Sequence, residues 1–208
     1  FYMTCGAAAS LTITLKALTE SPDDEVILIA PFFPEYTVFV ANAGAKKVVL
    51  PPDTEHFQVS LDALEQAITP HTRAVIINSP NNPSGVVYSA ATYEKVAALL
   101  TKKSAEIGHP IYIISDEPYR EIVYDGLPIL YVPAFYSNTI ICYSYSKSLS
   151  LPGERIGYIL VPPCAADADT IYKAVCGAGR SMGFVCAPHL FQDVILKCMG
   201  KTSDMNIY

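Results

Sequence analysis

Residues 144–157, SYSKSLSLPGERIG, place a lysine directly after a very apolar run and surround it with hydroxyls and a guanidinium. Serines stand at 144, 146, 148 and 150, and Arg155 follows Lys147 eight residues on. Burying an unpaired ammonium is costly and lowers its pKa, so Lys147 is either a solvated strand end or an amine placed for use. Its neighbours favour use. Arg155 can grip a phosphate bidentately, with Ser144 and Ser146 as further donors. A lysine in a desolvated pocket rich in cations becomes a usable nucleophile.

Other segments supply complementary groups. SDEPY brings Asp116 to the end of the apolar run IYIIS. Alone, Asp116 reads as the cap of a turn; paired with Lys147, it reads as a buried carboxylate facing a protonated ring nitrogen. Tyr119 can bring a phenol to the same ligand, while Glu117 alternates to the other side and reads as structural. NNPSG has the composition of a turn. Pro83 keeps Asn82 out of helical geometry and lets its amide aim at a ligand oxygen, and a cis Asn82–Pro83 bond suits such a turn. CGAAA puts Ala7 and Ala8 at a helix start, where free N–H groups favour a phosphate. Phe33 in PFFPEY offers a face for a planar ring, or ordinary core packing. A phosphate cradle, a stacking aromatic, an Asn and a Tyr for a phenolic oxygen, an Asp for a pyridine nitrogen and an amine together describe pyridoxal 5′-phosphate.

These groups need a scaffold that collects them. Apolar, β-branched runs recur at 25–31, 46–52, 73–80, 111–117, 139–146 and 156–163, and the chain starts in a further strand that runs into a glycine turn. The runs are continuous, as expected of strands covered on both faces. Helical patterns lie between them at 7–20, 60–68 and 89–108, the last two opening on good N-cap serines, with later helices at 165–177 and 187–199. This alternation predicts an α/β fold with a mostly parallel sheet. The link from Lys147 to the last strand is too short for a crossover helix, so that strand is free to run antiparallel. Ligands of such sheets bind beyond the carboxyl ends of the strands, which is where Phe33, Asn82, Asp116, Tyr119 and Lys147 fall.

Composition narrows the class. The 208 residues are 51% hydrophobic and 16% charged, with a net charge of −6, which suits a buried-sheet α/β protein and gives no electrostatic footprint for nucleic acid. No apolar run is long enough for a membrane span. The six cysteines lack zinc-site spacing and read as reduced core thiols of a cytoplasmic protein. Arg180 reads as the cationic end of a helix. Both chain ends read as cut.

The sequence resembles the large, cofactor-binding domain of class I/II aminotransferases, the aspartate aminotransferase superfamily with the type I pyridoxal-phosphate fold. SYSKSLSLPGERIG carries Ser144, Ser146, Lys147, Arg155 and Gly157 in that family's places. NNPSG resembles its Asn-Pro-Thr-Gly box, with Ser84 for the usual Thr, and GAA, PFFPEY and DEPY follow in the family's order. The resemblance spans essentially the whole chain. It implies a three-layer α/β/α domain over residues 1–208, with a mostly parallel sheet of the seven-stranded type holding one antiparallel strand. The family's N-terminal segment and small C-terminal domain, which carries the arginine for the substrate carboxylate, are expected outside this stretch.

The resemblance also implies roles. Lys147 forms the Schiff base with the cofactor and shuttles the substrate proton. Asp116 keeps the ring nitrogen protonated, and Asn82 and Tyr119 bind the phenolic oxygen. Ala7, Ala8, Ser144, Arg155 and Ser146 hold the phosphate, and Phe33 stacks on the ring. The implied activity is amino transfer between an amino acid and a 2-oxo acid, in a cytoplasmic homodimer with no nucleic-acid or membrane partner. A carbon–sulfur β-lyase or a related synthase would use the same residues, and the sensor domain of a transcription regulator can keep the lysine. By itself the chain is expected to hold the cofactor weakly and to turn over poorly.

Overall fold

The computed structural model describes residues 1–201. Seven strands form one sheet in the order β1-β7-β6-β5-β4-β2-β3. They are β1 (Tyr2–Thr4), β2 (Glu25–Ile29), β3 (Lys46–Leu50), β4 (Thr72–Asn78), β5 (Tyr112–Asp116), β6 (Thr139–Ser144) and β7 (Gly157–Leu160). Only β7 opposes its neighbours, pairing antiparallel with both β6 and β1. The central pairs, β2 with β3 and β4, β4 with β5, and β5 with β6, are parallel.

Alternate residues of each inner strand enter different cores. Val26, Leu28, Ala74, Ile76 and Ile114 face helices α1 (Ala7–Leu18), α2 (Tyr36–Ala43) and α6 (Ala168–Ser181). Ile27, Ile29, Val75, Ile77 and Ile113 face α3 (Leu61–Ala67) and α4 (Ala90–Ile107) on the other side. Helices therefore cover both faces, and the two cores explain the unbroken apolar runs. Each large aliphatic side chain so buried contributes roughly 2 kcal/mol. Two-sided burial also fixes register, because a slip of one residue would exchange the two faces.

The expected helices form, with trimmed ends. The Ser60 and Ser89 hydroxyls accept from the N–H groups of Ala63 and Thr92, and Gly108 closes α4 in the left-handed region. Three features depart from the sequence reading. Residues 36–43 form α2, although Thr37, Val38, Phe39 and Val40 are poor helix formers; burial of Tyr36, Val40 and Ala43 in the first core overrides propensity. β6 ends at Ser144, and Lys147 sits on a single helical turn, α5 (Tyr145–Ser148), capped by the Ser144 hydroxyl. α6 starts late, after Asp167 in left-handed geometry. α7 (His189–Cys198) follows α6 and carries Ile195 into a small third core with Ile156 and Ala187.

Gly157 sits where β1, β6 and β7 meet, paired with Thr4 and Ser144. A methyl group there would run into the Tyr143 carbonyl oxygen and the Gly6 backbone, and neither can move aside without breaking the sheet. Gly157→Ala is expected to cost about 3 kcal/mol. The loss should appear in urea unfolding as a lower midpoint at unchanged slope.

Candidate functional site

Asn78, Asp116 and Ser144 are the last residues of the parallel strands β4, β5 and β6. Beyond them lies a cavity of about 230 Å³, open to solvent, into which α1 points its N-terminus. All ten residues singled out in the sequence line this one cavity.

One end is built for an anion. Gly6 caps α1 at φ 87°, and among the described residues no side chain caps the helix start. The first N–H groups of α1, at Ala7 and Ala8, are therefore donors without an intrahelical acceptor, with the positive end of the helix dipole behind them. The Arg155 guanidinium lies against Gly6 so closely that a Cβ on Gly6 would sit 2.6 Å from Nη2. Any residue other than glycine would displace it. Arg155 has φ 52°, rare outside glycine, and its Nη1 donates to the Pro152 carbonyl at 2.8 Å. Ser144 Oγ accepts from the Ser146 N–H at 3.1 Å and donates to Ser146 Oγ at 2.7 Å. These hydroxyls, the guanidinium and the helix terminus form a cradle for a phosphate.

Another part of the cavity wall is built for a cationic donor. Asp116 is 5% exposed. Its Oδ2 accepts from the Tyr36 hydroxyl, while Oδ1 is buried with no hydrogen-bond partner among the described residues. Burial pushes the Asp116 carboxyl up to about 7, against the Tyr36 hydrogen bond, which holds it down, and with a smaller rise from the Glu117 charge. A buried oxygen without a donor is costly, so this site asks for one.

The remaining groups line the same cavity. Burial raises the Tyr119 phenol, as does the Asp116 charge, while a hydrogen bond with Asn82 lowers it. Phe33 is half-buried and meets the Tyr36 ring edge-on at 5.7 Å. Lys147 Nζ lies 5.9 Å from the centroid of the Tyr119 ring. The desolvated setting expected for Lys147 is not provided by these residues, because Lys147 is exposed. The Asn82–Pro83 bond is cis.

Glu117 turns away as expected, accepting from Ser115 at 2.7 Å and pairing with Arg120 at 3.2 Å. Arg180 occupies the last turn of α6.

Two further residues shape the site without standing out in the sequence. Asn78 donates to the Asp116 carbonyl at 2.9 Å and accepts from the Asn82 N–H at 2.7 Å, so one buried amide links two cavity walls. Tyr36 orients Asp116. The only sequence signal for Asn78 is its polar side chain at the end of an apolar strand, and Tyr36 is masked as part of PFFPEY.

The family described as aminotransferase class I and II matches residues 2–205. A crystal structure of an amino transferase from Eubacterium rectale is similar at TM-score 0.98 and 64% identity, covering 100% of this chain and 52% of that one. The aspartate aminotransferase of Thermus thermophilus with maleate gives TM-score 0.82 at 27% identity, over 95% of this chain and 48% of that one. A probable N-succinyldiaminopimelate aminotransferase of Mycobacterium tuberculosis is 36% identical over 165 residues, 77% of this chain and 40% of its own length. The chain thus spans about half the length of these relatives, or less.

Proposed function

Because the chain belongs to the class I and II aminotransferase family, we propose that it is the large, cofactor-binding domain of a pyridoxal-phosphate-dependent aminotransferase. In this reading residues 1–208 act in the transfer of an amino group between an amino acid and a 2-oxo acid. A homodimer and a cytoplasmic setting belong to the same proposal, and the relatives' names favour amino transfer over lyase or sensor roles. The observation that carries the proposal is the pairing, across one cavity, of a phosphate cradle with the buried, partnerless Asp116 Oδ1. Pyridoxal 5′-phosphate offers a phosphate to the one and a ring N–H to the other, so the residues fit it.

When bound, this cofactor supplies an electron sink for bond breaking at the substrate α-carbon. The protein's own groups do the rest. Asp116 accepts the ring N–H and keeps that nitrogen protonated. The α1 N–H groups of Ala7 and Ala8, with Ser144, Ser146 and Arg155, would hold the phosphate, and Phe33, in the same cavity lining, would pack against the ring. Asn82 and Tyr119 bind the phenolic oxygen and set its acidity. The Lys147 amine would be the group that holds the cofactor covalently, and as a free amine it would serve as the base that carries the substrate's α-proton.

Borohydride reduction after addition of pyridoxal phosphate tests the assignment. Peptide mapping is expected to place the irreversible label on the peptide holding Lys147. Labelling confined to other lysines would overturn it.

A further inference from the structure

Tyr36 is 1% exposed, at the first position of α2. The Phe32 ring stacks near it at 6.3 Å and the Phe33 ring meets it edge-on at 5.7 Å. A phenol in such a setting needs a polar partner, and Tyr36 donates to Asp116 Oδ2. One oxygen of Asp116 is thereby engaged within the protein, and the other, Oδ1, is buried and unpartnered among the described residues. The Asp116 backbone is held as well, through its carbonyl bond from Asn78 at 2.9 Å.

We propose that Tyr36 is a positioning residue for the cofactor: its hydroxyl fixes the Asp116 carboxyl so that Oδ1 alone faces the ring nitrogen, and it keeps that carboxyl ionised. This rests on the reading that a pyridoxal ring nitrogen meets Asp116. A hydrogen bond donated to a carboxylate favours the charged form, and here it opposes the burial that pushes Asp116 up to about 7. Tyr36 can serve as a donor throughout the working pH range, since burial, and then the Asp116 charge, raise its own phenol well above the usual value. The other titratable groups around Asp116 are Glu117, just past the end of β5, Cys142 on β6 and Tyr119 in the following loop; Lys147 on α5 and Arg155 line the same cavity. The Tyr36 hydroxyl is the one that donates to its side chain directly.

Tyr36→Phe keeps the ring and deletes the donor. Carboxyl carbon NMR on the cofactor-free protein, with Asp116 assigned through Asp116→Asn, is expected to show the Asp116 midpoint rising by about one pH unit or more in Tyr36→Phe. An unmoved midpoint overturns the proposal. Pyridoxal phosphate affinity at pH 8 is expected to fall about tenfold, the equivalent of one charge-assisted hydrogen bond; unchanged affinity beside a shifted midpoint overturns the cofactor half of the claim. In the unsubstituted protein the Tyr36 ring carbon bearing the hydroxyl is expected to titrate with the Asp116 midpoint. A flat signal there overturns the proposal even if Tyr36→Phe fails to fold. If the unsubstituted protein takes up no pyridoxal phosphate even at the highest soluble cofactor concentration, the cofactor reading itself fails, and the NMR midpoints still decide whether Tyr36 controls Asp116.

Discussion

Lys147→Ala is expected to abolish covalent capture of pyridoxal phosphate and to lower any amino transfer by about 10⁴-fold or more, since nucleophile and general base are lost together. The rest of the cavity should survive the change. Lys147 is exposed, with its Nζ 5.9 Å from the Tyr119 ring centroid, so truncating its side chain leaves no core void. The anion end at Gly6, Ala7, Ala8, Ser144 and Arg155 stays intact, and the cofactor should still bind reversibly and still be displaced by inorganic phosphate. The absorbance typical of free cofactor should persist, and borohydride should fix nothing to the protein. Lys147→Arg sharpens the test, because it keeps the positive charge while a guanidinium cannot lose its proton to attack. It should behave like Lys147→Ala. Covalent capture in either variant equal to that of the unsubstituted protein would move the chemistry to another lysine.

Much of this site was legible because its information is local. The serines and Arg155 stand within a few residues of Lys147 in the chain, and Asp116, at the end of β5, and Asn82, in the turn after β4, follow apolar runs made conspicuous by two-sided burial. Tyr36 and Asn78 were hidden for the opposite reason. Their roles exist only across elements: the Tyr36 bond spans 80 positions and the Asn78 bond to Asp116 spans 38. No spacing rule reaches so far. α2 escaped because β-branched and aromatic residues disguise a helix whose support is tertiary. The exposure of Lys147 was equally illegible, since desolvation is a property of everything that surrounds a side chain and not of the residues beside it in sequence.

Asp116→Asn should separate the stability of the fold from its use. The Asp116 carboxyl is raised from the ordinary 3.8 to about 7 when the cavity holds only protein groups, chiefly by burial. A raised acid leaves the folded state holding a proton that the unfolded chain has already released, so its stability is complete below about pH 4 and is lost as pH rises through 7. The loss is on the order of 4 kcal/mol by pH 8. Asparagine carries no such ionisation and can still accept from Tyr36. The cofactor-free variant is therefore expected to be more stable than the unsubstituted protein at pH 8 and about equal to it at pH 4. Burial also raises Glu117 and Glu121, but both remain in the two proteins and cancel in the comparison. Saturating pyridoxal phosphate should reverse the order at pH 8, because a protonated ring nitrogen pairs with the carboxylate and not with an amide. Amino transfer should fall by at least about 10²-fold, since a neutral amide cannot hold that nitrogen in its charged form. Melting curves at pH 4 and 8, with and without cofactor, decide the matter. If the cofactor-free variant is the less stable one at pH 8, Asp116 is there for the fold; if the order reverses only on loading, the buried carboxylate is a cost the protein carries in order to bind a cation.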